Sequence, residues 1–121
     1  MGKNERITEN IVRKKLEAVG IKAEKGFLIE EQKSSNPLVE KLLKSASKSG
    51  EGIGKPEFLI SKEGDKDFLI VIECKAAVKF HESAGRDQFR DYAVDGALLY
   101  AGYLSKEFNV IAIGVSGQTR D

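Results

Sequence analysis

The sequence is poor in the residues on which several functional classes depend: among 121 residues it has one Cys, one His, two Pro and no Trp. Cys74 has no second cysteine to pair with, and its place inside an apolar run points to a buried thiol in a reducing, cytoplasmic compartment. A zinc site would lack nitrogen and sulfur ligands. Ser-His-Asp and Cys-His schemes would all rest on His81, in a polar stretch. No apolar run approaches the roughly 18–20 residues of a membrane-spanning helix, and Lys3, Glu5, Arg6 and Glu9 stand where a signal peptide needs an apolar core. A strong charge of one sign is also missing. With 20 basic and 19 acidic residues the chain carries +1, which argues against a polycationic or an acidic disordered protein. Residues 1–55 nevertheless hold 12 basic and 8 acidic side chains, against 8 and 11 in residues 56–121, so the two halves differ in sign.

What is present is the material of one modest domain spanning 1–121, with 40% hydrophobic and 32% charged residues. Ile11, Val12, Leu16 and Val19 recur at helical spacing, which predicts a helix over about 8–19 with Thr8 as N-cap and Gly20 at its end. A short strand is expected over 26–30. Asn36-Pro37 then opens a second helix, near 36–48, on Leu38, Val39, Leu42 and Leu43. A glycine-rich stretch precedes a β-hairpin, with strands over 57–61 and 67–75 and a turn over 62–66. Phe89, Tyr92, Ala93, Gly96, Leu99, Tyr100 and Tyr103 predict a long helix over about 84–104, with Ser83 as cap. The near-continuous apolar run Val110–Val115 reads as a strand buried on both faces beside the 67–75 strand, closing a βαβ unit. The class is α/β: a mixed central sheet flanked by helices in α-β-β-β-α-β order, with the 36–48 helix added.

Alternation along the 67–75 strand puts Leu69, Val71, Glu73 and Lys75 on one face. A carboxylate and an ammonium thus emerge at the end of a strand that begins as core. They form a strand-end ion pair, or they serve chemistry. The hairpin brings Glu57 opposite roughly residues 71–73, close to Glu73. Adjacent carboxylates repel, so one keeps its proton or a cation lies between them. A hard ion such as Mg²⁺ suits such oxygens, and two carboxylates with a lysine around it are the parts for hydrolysing a phosphodiester.

Pro56-Glu57, the hairpin and Glu73-Cys74-Lys75 resemble the motif of the PD-(D/E)XK nuclease superfamily, with Glu57 where Asp is usual. Gln88 and Tyr92 resemble the QxxxY motif of its restriction enzymes, and the order of elements agrees over most of residues 6–117. The strand sequences are similar to the N-terminal nuclease domain of type I restriction subunits and of fused restriction–methylase polypeptides. The resemblance implies a Mg²⁺-dependent DNA endonuclease domain, with Mn²⁺ as substitute ion, and a chain that is an N-terminal portion of a larger restriction–modification protein. Glu57 and Glu73 would ligate the metal, the backbone carbonyl of Cys74 would be a further ligand, and Lys75 would be the catalytic lysine. Gln88 and Tyr92 would support the site or hold the DNA backbone. The acidic residue often found on the first helix would be Glu9, with Glu17 and Glu40 as alternatives. Expected partners are DNA, methylase and specificity domains or subunits, and a second copy on DNA. The alternative function is a catalytically degraded DNA-binding or docking domain of the same fold.

Lys44, Lys48 and Lys55, with Lys41, Arg13, Lys14 and Lys15, are candidate phosphate contacts, as is His81; a solvated helix face is the other reading of these lysines. Gly50, Gly52, Gly54 and Lys55 do not make a phosphate-binding loop, because Pro56 and a strand follow the lysine. They read as a linker or as a loop admitting DNA. Tyr100 and Tyr103 read as core. No helix-turn-helix, zinc finger or basic zipper is present to read base edges.

Overall fold

The computed structural model describes residues 3–46, 55–88 and 91–118, with the backbone alone for 3–5. Three α-helices, α1 (Lys3–Ala18), α2 (Pro37–Leu43) and α3 (Ala93–Leu104), alternate with strands β1 (Phe27–Glu30), β2 (Phe58–Lys62), β3 (Asp65–Lys75) and β4 (Asn109–Ser116). The sheet order is β1-β2-β3-β4. The first two pairings are antiparallel and β3–β4 is parallel, as a hairpin followed by a helical crossover requires. This is the expected mixed sheet flanked by helices.

Alternation divides the core into two layers. Leu59, Leu69 and Val71 face α2 and α3, packing on Val39, Leu43, Tyr100 and Leu104. Phe58, Ile60, Ile70, Ile72 and Cys74 face α1 and pack on Val12 and Leu16. Cys74 is a buried free thiol in that second layer, as the apolar run implied. Gly20 closes α1 with φ +90, and the Ile21 N–H reaches back to the Leu16 carbonyl at 2.9 Å. Asn36 caps α2 through the Leu38 N–H at 2.9 Å.

Four expectations need correction. Thr8 does not cap α1: the helix begins at Lys3, and the buried Thr8 hydroxyl donates to the Gly117 carbonyl, fastening α1 to the end of β4. Helix α2 ends at Leu43 rather than near 48; Lys48, Gly50, Gly52 and Gly54 lie outside the described residues. Helix α3 begins at Ala93 rather than near 84. The 83–88 segment is tied down by Asp95 instead, and Arg86 has φ +54, which a right-handed helix does not admit. Finally, β4 is an edge strand, not one buried on both faces. On the α1 side of the sheet Ile111 is 49% and Ile113 37% exposed, because α1 covers the centre of the sheet while α3 covers the opposite face of β4.

Candidate active site

The C-terminal end of β3 lies against the start of β2. The pair Phe58↔Ile72 carries Glu57 to the position opposite Glu73, and the Glu57 N–H donates to Glu73 Oε1 at 2.8 Å. Glu73 sits on the α3 side of the sheet with Leu69 and Val71 and is 1% exposed; Glu57 is half-buried. Lys75 ends the strand on the same face. Its carbonyl accepts the Gly117 N–H at 3.0 Å, and its neighbour in β4 is Ser116. The backbone thus places residue 57 beside the Glu73 carboxylate, with Glu73 and Lys75 two apart on one strand.

Tyr100 joins this group, which sequence reasoning missed by assigning the residue wholly to the core. Its ring is buried among Leu59, Val71 and Leu104. Burial raises the pKa of its hydroxyl, the charges of Glu73 and Glu57 raise it further, and a hydrogen bond with the Lys55 backbone acts the other way. A neutral phenol therefore lies within electrostatic reach of both carboxylates.

Glu9 lies on α1, one residue after the Thr8 hydroxyl that is fastened to Gly117. It is 6% exposed; Oε1 meets Arg13 at 3.5 Å, and Oε2 is buried without a hydrogen-bond partner. Arg13 also pairs with Glu31 and lies over the Phe58 ring. The hydrogen bond from Arg13 to Glu31 is the largest influence raising the guanidinium pKa. Glu17 is exposed, and Glu40 sits in the first turn of α2. Glu9 is not gathered with Glu57 and Glu73 into one cage: among the described residues, no three His, Cys, Asp or Glu side chains form a metal-binding group.

Gln88 and Tyr92 both precede α3 rather than lying within it. Gln88 is an exposed loop residue, whereas Tyr92 is the residue before α3, half-buried with its ring edge-on to Phe80 at 5.5 Å between centroids. The Tyr92 N–H donates to the Gln88 carbonyl at 3.2 Å, and residues 89 and 90 between them lie outside the described residues. His81 is exposed and lies near the strand ends, its Nδ1 3.0 Å from the Ser116 hydroxyl. Lys44 and Lys55 are exposed, as phosphate contacts require.

Asp95 was also missed. It is fully buried in the first turn of α3, where one carboxylate oxygen accepts the Ser83 N–H at 3.1 Å. The other accepts the Ser83 hydroxyl and the Gln88 N–H, the latter at 2.8 Å. The available signal was an acidic residue inside the apolar run Ala93-Val94-Asp95-Gly96-Ala97-Leu98.

Burial by itself would raise the Asp95 pKa, but the hydrogen bonds from Ser83 and Gln88 lower it below the ordinary 3.8. The stability it contributes is present above that ordinary value and is lost as pH falls through the lower folded value. An NMR titration is expected to place the midpoint of the Asp95 carboxyl carbon below 3.8. A midpoint above 3.8 would contradict the hydrogen bonding described.

The chain is similar to a restriction–modification protein. It is 37% identical over 124 residues to the type II restriction enzyme and methyltransferase RM.BcgI of Heyndrickxia coagulans, a match covering 91% of this chain. The chain spans 18% of that relative's length. No protein-family profile and no solved structure matches the chain. Among the described residues, no helix is long and apolar enough to cross a membrane.

Proposed function

We propose that this chain is the DNA-cleaving domain of a restriction–modification protein, a Mg²⁺-dependent endonuclease of the PD-(D/E)XK kind, working in the cytoplasm beside methylase and specificity domains or subunits. The observation that carries this reading is the convergence of Glu57 and Glu73 at one strand end, 2.8 Å from backbone nitrogen to carboxylate oxygen, with Lys75 next on the same face. The relationship to a restriction enzyme and methyltransferase supports it.

The donors fit a hard cation that keeps much of its water shell. Glu73 and Glu57 offer carboxylate oxygens and the Cys74 carbonyl is adjacent in sequence, while Glu9, on α1, is not gathered with them. A smaller, fully protein-built cage would need more ligands than are gathered here. When bound, Mg²⁺ supplies positive charge at the phosphoryl oxygen and acidifies a water, and Mn²⁺ can replace it. Glu73 is held in place by the Glu57 N–H, so it meets a cation without reorganising. Lys75 offsets negative charge accumulating on the phosphate or orients the attacking water. The neutral Tyr100 phenol adds no third negative charge beside the carboxylates. Lys44, Lys55 and His81 are exposed to take DNA phosphates, and Lys48, outside the described residues, belongs to the same proposal. A double-strand cut needs two such sites, which a second copy on the duplex would supply, or two successive events at one.

The second reading, a non-catalytic DNA-binding or docking domain of the same fold, is favoured by the lack of a three-ligand cage among the described residues. Incubating plasmid DNA with the intact protein separates the two. Cleavage that requires Mg²⁺ and stops with EDTA is expected; DNA binding with no cleavage in Mg²⁺ or Mn²⁺ selects the second.

A further inference from the structure

The segment Ala76–Gln88 follows Lys75 directly at the end of β3, and Tyr92 immediately precedes α3. Its contacts tie it to α3, to Tyr92 and to the end of β4. The His81 carbonyl accepts the Val94 N–H at 2.7 Å, His81 Nδ1 meets Ser116 at 3.0 Å, and Phe80 packs on Tyr92. Ser116 is the β4 neighbour of Lys75, so this loop is seated beside the lysine. Asp95 reaches further than any of these contacts, because one carboxylate takes three donors from two points of the loop, Ser83 and Gln88.

A fully buried carboxylate in an apolar helical turn costs free energy unless its hydrogen bonds are satisfied. All three donors to Asp95 come from the loop, so its placement is meaningful only if the loop is held in one position. We propose that Asp95 is a positioning residue: it sets the Ala76–Gln88 segment beside the end of β3 and thereby fixes Lys75 and Gln88 relative to the bound phosphate. This role rests on the nuclease reading above. Asp95 touches neither DNA nor metal; it acts through Ser83 and Gln88.

Asparagine tests the claim atom by atom. An amide has one acceptor oxygen where the carboxylate has two. If the oxygen faces the Ser83 N–H, the NH₂ group faces the Gln88 N–H; if it is flipped, the NH₂ faces the Ser83 N–H. One loop anchor is lost either way. Ser83→Ala removes the hydroxyl alone and leaves both amide anchors.

Wild type, Asp95→Asn and Ser83→Ala are compared in the intact protein. Single-turnover cleavage of plasmid DNA at saturating Mg²⁺, DNA affinity, and hydrogen exchange of the 83–88 amides are measured. Asp95→Asn is expected to slow cleavage by about tenfold or more while DNA affinity stays within about twofold, with faster exchange at 83–88. Ser83→Ala is expected to lose about threefold in rate. Faster exchange at the wild-type cleavage rate overturns the positioning role, as does a parallel fall of rate and affinity. Should Asp95→Asn fail to fold, an unchanged rate in Ser83→Ala overturns it instead. Absence of cleavage in the wild type defeats the nuclease reading itself, in a different arm of the experiment.

Discussion

Glu73→Gln is expected to lower Mg²⁺-dependent DNA cleavage by about 10²–10³-fold while the domain stays folded. The substitution keeps the shape of a side chain that is 1% exposed, and the amide oxygen can still accept the Glu57 N–H. What disappears is one negative charge beside Glu57 and the Tyr100 phenol. A loss of cleavage at a melting temperature close to wild type separates a lost charge at the site from a lost fold. Single-turnover cleavage at several Mg²⁺ concentrations, with thermal unfolding of the same samples, checks both halves. Cleavage within about tenfold of wild type would show that Glu73 does not hold the ion.

How much of this was legible in the sequence depended on the range of the interaction concerned. Alternation in β3 is local and strict, so Glu73 and Lys75 could be placed on one face and Cys74 on the other without coordinates. The hairpin turn then set the register, which put Glu57 at Glu73 rather than at Val71. Helical periodicity was less secure. Phe89 and Tyr92 extended the apolar pattern of α3 toward its N-terminus, but side-chain spacing says nothing of Arg86 at φ +54. Nor does it reveal that the Asp95 carboxylate draws the Ser83 and Gln88 amides out of any helical ladder. The same long-range contact hid Asp95. For β4, an apolar run was taken as evidence of two covered faces, yet composition does not record how many strands lie beyond it. Packing, not spacing, decides the surroundings of the three candidate acids on the helices: Glu9 is 6% exposed beside Arg13, Glu17 is exposed, and Glu40 lies in the first turn of α2.

The close approach of α3 to β4 leads to the largest expected effect on stability. Gly114 is the β4 neighbour of Glu73, and a Cβ at this position would lie 2.7 Å from the Val94 nitrogen, 2.8 Å from its Cγ2 and 2.9 Å from its Cα. Two of these atoms belong to the backbone of the first turn of α3, so no side-chain rotation relieves the clash. The helix must move away from the sheet, taking with it the Val94 N–H bond to His81 and the Asp95 anchor of the loop. Gly114→Ala is therefore expected to cost about 3 kcal/mol, at the upper end of overpacking effects. For a chain of this size that corresponds to a fall of about 10 °C in Tm. Gly102, in the same helix, has nothing within 4 Å of its would-be Cβ. Gly102→Ala is accordingly expected to raise stability by up to about 1 kcal/mol, since alanine loses less backbone entropy in a helix. Thermal or urea unfolding of the pair checks the argument, and equal effects of the two substitutions would show that α3 does not rest on Gly114. The same added methyl thus meets backbone atoms of α3 at the strand position and open space at the helical one, and the opposite signs expected follow from that difference.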